Sequence, residues 1–115
     1  MLILNIYINK LLYKDFVLLF DIIMAMVNVN DLFLKATIDV KALPSTPDDE
    51  SMLSLYAYFK QATVGDINTE KPSFFNFKDT AKWNAWEKVK GMQKIQAQGN
   101  YIKLVKDLQI KLANP

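Results

Sequence analysis

Apolar residues recur at the spacing of an α-helix along most of this chain, and proline or glycine interrupts the pattern. Pro44 follows the first segment, and Gly65 and Gly91 follow the next two. Proline cannot continue a helix interior, and glycine is the usual residue just beyond a helix end. Alternation with a period of two, which would indicate strands, persists nowhere. We therefore predict an all-α fold, a four-helix bundle with one long loop between its second and third helices.

The predicted helices start at residues that suit helix ends. Asn30 and Thr46 are the predicted N-caps of the first two helices, because their side chains can accept hydrogen bonds from free N–H groups of the first turn. Pro47 then fits the first helical position of the second helix. The third helix is predicted over about 79–90 and the fourth over about 93–112.

The predicted loop covers residues 66–78. Loops of this length inside a compact domain are uncommon and often functional. Its three phenylalanines, Phe74, Phe75 and Phe77, are predicted to anchor it to the bundle.

The amino-acid composition favours a binding protein over an enzyme. The chain has 115 residues, which suits one domain, and it contains neither cysteine nor histidine. It therefore lacks a thiolate nucleophile, the usual general base at neutral pH and the commonest metal ligand, so we predict no catalytic residues, no metal and no cofactor. The net charge is only +2 and every basic residue is lysine, which argues against nucleic-acid binding because arginine makes the best contacts to guanine and phosphate.

Residues 1–27 differ from the rest of the chain and form an apolar extension. Lysines and aspartates interrupt it too often for a membrane-spanning helix, and it lacks the basic start and cleavage site of a secretory signal. Two interpretations stay open. The segment is either an additional apolar helix that needs a partner surface, or a sequence outside the natural protein, which would then start at Met24 or Met26. The predicted domain covers 28–115.

Two sequence stretches resemble a known family. FKQATVGDINTEKP at residues 59–72, followed by FKDTAKWNAW at 77–86, is similar to the signature of the acyl-CoA-binding proteins. The resemblance extends from about Phe33 to about Leu112. It implies a small cytoplasmic four-helix bundle, with its helices in up-down-down-up order, that binds long-chain fatty acyl-CoA thioesters.

The polar part of such a ligand needs cations and a ring that stacks. Tyr56, Phe59 and Lys60 share one helix face, and Lys82 stands beside Trp83. The resemblance implies that Lys60 and Lys82 contact the nucleotide phosphates. It also implies head-group contacts by the residues that match other family positions, namely Lys41, Tyr56, Phe59 and Tyr101.

Two positions depart from the family pattern. Phe59 stands where the family usually has tyrosine, so stacking on adenine is retained while a hydroxyl contact is lost. Thr46 stands where lysine is common, which removes one phosphate contact. For the acyl chain we predict a dry groove formed by five side chains, Phe33, Thr37, Met52, Leu53 and Leu55.

The predicted function is that of an intracellular carrier and pool former for long-chain acyl-CoA such as palmitoyl-CoA. It is expected to be monomeric and to contact membranes or acyl-CoA-using enzymes transiently, and dimerisation through the extension stays open. The alternative is a helical module that binds protein or membrane through residues 1–27.

Overall fold

The computed structural model describes residues 2–114, apart from the side chains of 2, 6–8, 10–11 and 25–27. It is helical without strands over that range, as predicted. The elements in chain order are α1 (Leu2–Asp39), a short 3-10 turn (Val40–Ala42), α2 (Asp49–Thr63), α3 (Phe77–Glu87) and α4 (Lys94–Ala113).

Helix α1 contradicts the prediction that a helix begins at Asn30. It runs from Leu2 to Asp39, so Asn30 is an interior residue. No glycine or proline stands between the extension and residue 30, and nothing therefore breaks the helix there. The Asn30 carboxamide instead accepts a hydrogen bond from Gln98 Nε2 of α4 at 3.1 Å.

The axis of α1 bends by 43° between Leu12–Met24 and Asn28–Ala42. Among the described helices, none taken singly is long and apolar enough to cross a membrane; these two bent segments pass that test of length and composition only together.

Helix α2 is capped by Asp48, and the prediction of Thr46 as its cap is wrong. The Asp48 carboxylate accepts a hydrogen bond from the Ser51 N–H at 2.8 Å. Hydrogen bonding from Ser51, first by its side chain and then by this N–H, lowers the pKa of Asp48, and a carboxylate is also favoured by the positive end of the helix dipole. A charged acceptor was thus available two residues after the threonine. At the other end, Gly65 adopts a φ of 101° and stops the helix as predicted.

Helix α3 begins two residues earlier than predicted. Asn76 caps it by accepting a hydrogen bond from the Asp79 N–H at 3.2 Å. The helix ends at Glu87, and Gly91, with a φ of 87°, completes the turn that follows. Helix α4 lies within one residue of its predicted range.

The core lies where α4 packs against α1 and α2, while α3 packs on α2. Small residues on the helices permit close approach, and larger ones fill the centre. Its buried members are Phe33, Ala36, Leu55, Ala62, Ala97, Tyr101, Val105 and Leu108. Trp86 of α3 is buried, and its indole N–H donates to the Gly65 carbonyl at 2.8 Å, which fixes α3 to the end of α2.

The prediction that Phe74, Phe75 and Phe77 anchor the loop is wrong. Their exposed fractions are 78%, 84% and 74%. The loop is held instead by polar contacts to α3, above all a hydrogen bond from the indole N–H of Trp83 to the Thr69 carbonyl at 3.0 Å. The loop is therefore held by a side-chain hydrogen bond to its backbone, and its apolar rings do not anchor it.

Candidate functional site

An open groove of about 1270 Å³ lies between the segment that joins α1 to α2, the outer face of α2 and the start of α3. This volume exceeds the roughly 300–1,000 Å³ that is typical of pockets for drug-sized molecules. The groove therefore has room for a long or two-part ligand.

One wall of the groove is apolar. Met52, Leu53 and Leu55 line it, and all three were predicted acyl-groove residues. Their helix, α2, presents Met52 at its exposed edge and buries Leu55. A flexible methionine at the rim suits chains of several lengths, because its side chain adapts to irregular gaps.

The predicted residues Phe33 and Thr37 lie outside the groove lining. Phe33 is buried in the core, where its ring meets Tyr101 edge to face at 5.2 Å. The Thr37 hydroxyl donates to the Leu34 carbonyl one turn back in α1 at 2.6 Å. Both side chains are thus occupied within the bundle, and a direct contact of either with an acyl chain stays a prediction.

Aromatic rings form the wall where α2 meets α4. Phe59 and Tyr101 both line the groove, with ring centroids 6.3 Å apart. Phe33 supports Phe59 from behind in a stacked arrangement at 6.1 Å. Phe59 remains 40% exposed, so one face of its ring is free to stack on a planar ligand. Burial raises the pKa of Tyr101, which therefore keeps its proton as a hydrogen-bond donor over the whole neutral range.

Lysines surround the mouth of the groove. Lys41, Lys78 and Lys82 line it. The Lys82 ammonium lies 5.4 Å from the ring centre of Tyr56, a cation–π contact that joins two predicted head-group residues from different helices. Ammonium groups at such a rim provide point charges for phosphate oxygens.

Lys60 is the predicted head-group residue that the groove lining does not include. It lies one turn beyond Tyr56 on α2, and its ammonium sits 4.9 Å from the ring centre of Trp86. On reaching a phosphate at the groove mouth it gives up its contact with Trp86, just as Lys82 gives up its contact with Tyr56. Lys60 differs in that it must also move to the groove, whose lining already includes Lys82.

Several lining residues were not predicted, and most belong to the segment between α1 and α2. They are Val40, Leu43, Pro44, Ser45, Pro47, Asp49, Phe77, Lys78 and Ala81, together with Thr46, which was considered only as a cap and a lost cation. The two prolines of this segment were a usable signal in the sequence, because proline does not continue a helix interior.

A hydrogen-bonded junction supports the site from the far end of α2. The Asp66 carboxylate accepts from the Gly91 N–H at 2.8 Å and from Gln61 Nε2 at 2.9 Å. These two bonds, the first the larger, lower the pKa of Asp66. Gln61 is buried and also donates to the Met92 carbonyl at 2.8 Å. The junction ties the loop after α2 to the turn after α3, which agrees with a structural role for Asp66.

The side chains at the groove are suited to binding. Hydroxyl groups are present, but the chain has no histidine or cysteine to activate a nucleophile. In the described part of the chain no group of three or more potential metal ligands comes together. What the groove offers is an apolar wall, exposed aromatic faces and ammonium groups.

Known proteins resemble this chain in sequence. Residues 30–105 match the family model described as acyl CoA binding protein. The acyl-CoA-binding protein of Saccharomyces cerevisiae is 45% identical over 86 residues, which are 75% of this chain and 99% of the yeast protein. That of Gossypium hirsutum is 49% identical over 69 residues, 60% of this chain and 78% of the cotton protein.

Solved structures give the same result. The crystal structure of Oryza sativa acyl-CoA-binding protein 2 superimposes with a TM-score of 0.71 at 40% identity, covering 74% of this chain and 94% of the rice chain. The solution structure of the yeast protein gives a TM-score of 0.59 at 46% identity, covering 72% and 96% of the two chains. By sequence and by fold, this chain belongs to the acyl-CoA-binding protein family.

Proposed function

We propose that this protein binds long-chain fatty acyl-CoA thioesters in the groove and serves as a cytoplasmic, monomeric carrier that maintains an acyl-CoA pool. The observation that carries the proposal is the combination, in one groove, of an apolar wall on α2 with lysines and aromatic rings at the mouth. Family membership supports the same ligand class, since the matched relatives are named as acyl-CoA-binding proteins.

The head group is assigned to the mouth of the groove. Lys82 and Lys41 pair with phosphate oxygens, and Lys60 joins them after leaving the Trp86 ring. The face of Phe59 stacks on the adenine, with Tyr56 and Tyr101 as neighbouring contacts. Ring stacking and point-charge pairing together suit a nucleotide better than either would alone.

The acyl chain is assigned to the apolar wall that includes Met52 and Leu53. Each methylene removed from water contributes about 0.8 kcal/mol, so a sixteen-carbon chain contributes roughly 12 kcal/mol before entropy losses. Such a contribution permits a carrier to hold its ligand with little free in solution.

Calorimetric titration with palmitoyl-CoA, CoA and palmitate tests the proposal. The expected result is saturation at one palmitoyl-CoA per chain, much weaker binding of CoA and almost none of palmitate, because each fragment uses only part of the groove. Equal binding of palmitate and palmitoyl-CoA would contradict the assigned head-group site. Absence of palmitoyl-CoA binding would reject the carrier function.

We also propose that the domain proper covers 28–115 and that residues 1–27 form an extension. The observation in favour is that the described side chains of residues 3–24 are exposed, apart from the half-buried Val17. They include a stacked pair, Phe16 and Phe20, with ring centroids 6.4 Å apart. This apolar surface keeps the second candidate function open, a module that binds a partner through its extension.

A further inference from the structure

The tip of the loop between α2 and α3 carries an unusual pair of residues. Asn76 N–H donates to the Ser73 carbonyl at 2.9 Å and closes a turn whose two central residues are Phe74 and Phe75. Glycine, proline, asparagine, aspartate and serine dominate such positions, because they favour the backbone angles or the local hydrogen bonds of turns. Two phenylalanines serve neither need, and both are more than three-quarters exposed.

We call Phe74, Phe75 and Phe77 the phenylalanine tip. The rings form one cluster, in which Phe74 lies 5.5 Å from Phe75 and 6.2 Å from Phe77, centroid to centroid. No other described aromatic ring pairs with them. The cluster is therefore a small continuous apolar surface that the protein itself does not cover.

Hydrogen bonds hold the tip in place. The Thr80 hydroxyl donates to the Ser73 carbonyl at 3.4 Å, and Asn76 caps α3. Further back, the Trp83 indole N–H donates to the Thr69 carbonyl at 3.0 Å. The rings are thus presented from a frame fixed to α3, and less ordering entropy is lost when they bind than for a free loop.

The tip is continuous with the groove. Phe77 and the adjacent Lys78 line the groove together with Met52 and Leu53. An apolar path therefore runs from the exposed tip to the wall assigned to the acyl chain. A ligand with a long acyl chain partitions into lipid, so a lipid surface is the place from which such a groove would be filled.

Local charge favours an anionic bilayer as the occupant. Between residues 70 and 82, Lys71, Lys78 and Lys82 outnumber Glu70 and Asp79. The Asp79 carboxylate accepts a hydrogen bond from the neutral Asn76 Nδ2 at 2.6 Å and keeps its charge, so the net charge of this stretch is +1. Lysines beside apolar rings are the combination by which interfacial segments bind anionic membranes, the rings entering the acyl boundary and the lysines facing the head groups.

We propose that the phenylalanine tip inserts into the interface of an anionic lipid bilayer and sets the mouth of the groove against the membrane that supplies the acyl-CoA. The supply step rests on the proposed function. The insertion itself does not, since it follows from the exposed rings and their neighbouring lysines.

The test compares the full chain with Phe74→Ala/Phe75→Ala and with Phe16→Ala/Phe20→Ala, a matched loss of two exposed rings in the extension. Phe77 is left intact because it lines the groove. Co-sedimentation with vesicles of phosphatidylcholine and phosphatidylserine measures partition, and vesicles of phosphatidylcholine alone measure the part that charge contributes. Calorimetry with palmitoyl-CoA in solution, thermal unfolding, and the rate of palmitoyl-CoA uptake from loaded vesicles complete the set.

We expect Phe74→Ala/Phe75→Ala to lower partition onto the anionic vesicles by about tenfold or more, the equivalent of burying one or two large apolar side chains. Uptake from vesicles should slow by a similar factor, while the solution affinity for palmitoyl-CoA and the unfolding temperature stay unchanged. Partition of the wild-type chain should also be weaker on vesicles without phosphatidylserine.

The proposal is overturned if Phe74→Ala/Phe75→Ala partitions as the wild type does, whether or not Phe16→Ala/Phe20→Ala loses binding. It is also overturned if the solution affinity for palmitoyl-CoA falls as far as partition does, since the rings would then belong to the ligand site. A wild-type chain that fails to bind palmitoyl-CoA in solution rejects the proposed function. The partition measurements still test whether the phenylalanine tip inserts into the bilayer.

Discussion

The two predicted head-group lysines on α2 and α3 contact different aromatic rings. Lys82 lines the groove beside Tyr56, whereas Lys60 is held over Trp86 at 4.9 Å. A cation–π contact at an exposed site contributes roughly 0.5–1 kcal/mol, and either lysine gives one up on reaching a phosphate. Lys60 must in addition move to the groove, which Lys82 already lines. The two lysines should therefore contribute unequally to affinity.

We accordingly predict that Lys82→Ala weakens palmitoyl-CoA binding by about tenfold, as expected for losing one charge-assisted contact, and that Lys60→Ala weakens it less. Titration calorimetry measures both values, with Lys106→Ala on α4 as the matched control for loss of one exposed positive charge. An equal loss for Lys60→Ala would show that Lys60 reaches the ligand as readily as Lys82 does.

Phe59 offers a gain-of-function test. Its ring is 40% exposed at the groove, so a hydroxyl added at its edge can be accommodated without burial. A hydrogen bond to ribose or phosphate contributes about 1 kcal/mol, and Phe59→Tyr is expected to tighten palmitoyl-CoA binding roughly fivefold. An unchanged palmitoyl-CoA affinity of Phe59→Tyr would mean that no polar ligand atom lies near this edge of the ring. Phe59→Ala serves as the control, since it removes the stacking face as well and should weaken binding.

At the residue scale, the family resemblance and helix periodicity together selected side chains that lie in one groove. Tyr56 and Lys82, chosen because they match family positions, line it together with Met52 from the apolar side of α2. The sequence was less informative about Lys60 and Phe33. Their helix faces were correctly placed, but rotamer choice and the contact with a neighbouring helix decide where such side chains end, and neither is readable from spacing.

At the scale of the element, the start of a helix depends on which of several polar side chains accepts the hydrogen bond from a first-turn N–H group. Thr46 and Asp48 were both present before α2, and the carboxylate, as the stronger acceptor, accepts the bond from Ser51. Asn30 shows the related case, in which a capping residue has no helix end to cap because the preceding helix continues. Local capping rules therefore fail where they compete with one another or with an uninterrupted helix.

Asp48→Ala should consequently destabilise the protein, while Thr46→Ala should have little effect. Loss of a helix cap in a domain of this size lowers the unfolding temperature by roughly 4–8 °C. Thermal unfolding followed by circular dichroism at 222 nm, the α-helical minimum, measures the difference. A larger shift for Thr46→Ala than for Asp48→Ala would contradict the observed cap.

The junction between the loop after α2 and the turn after α3 predicts a pH dependence. The folded-state pKa of Asp66 lies below its ordinary value of 3.8, because the carboxylate accepts hydrogen bonds from Gly91 and Gln61. Its contribution to stability is therefore complete above pH 3.8 and is lost as the pH falls through the lower folded-state value.

Asp66→Asn should lower the unfolding temperature at neutral pH and flatten the part of the pH profile below 3.8. Calorimetric scans between neutral and strongly acidic pH test this expectation. Asp31→Asn, an exposed aspartate of α1, is the matched control and should leave the neutral-pH value unchanged. Identical profiles for the two variants would exclude Asp66 as a source of acid sensitivity.

For the whole molecule, the continuous helix α1 raises the question of what residues 1–27 contribute. Among the described side chains of this helix, those that enter the core belong to its later part, namely Phe33 and Ala36, and the groove begins at Val40. The described side chains before Met24 are exposed, apart from half-buried Val17. On these side chains, stability and ligand binding come from residues after the bend, and the described apolar residues before it lie on the surface.

We therefore predict that a chain starting at Met24 retains the unfolding temperature and the palmitoyl-CoA affinity of the full chain, because it keeps every residue of the core and of the groove lining. Its self-association at high concentration should fall, because large exposed apolar surfaces drive association. Sedimentation velocity, thermal unfolding and calorimetry on the two chains measure these quantities side by side. Phe16→Ala/Phe20→Ala in the full chain provides a control that keeps the length of α1. A loss of ligand affinity on truncation would contradict the independence of the groove from the extension, whereas unchanged self-association would mean that the exposed rings of α1 do not bind a second copy.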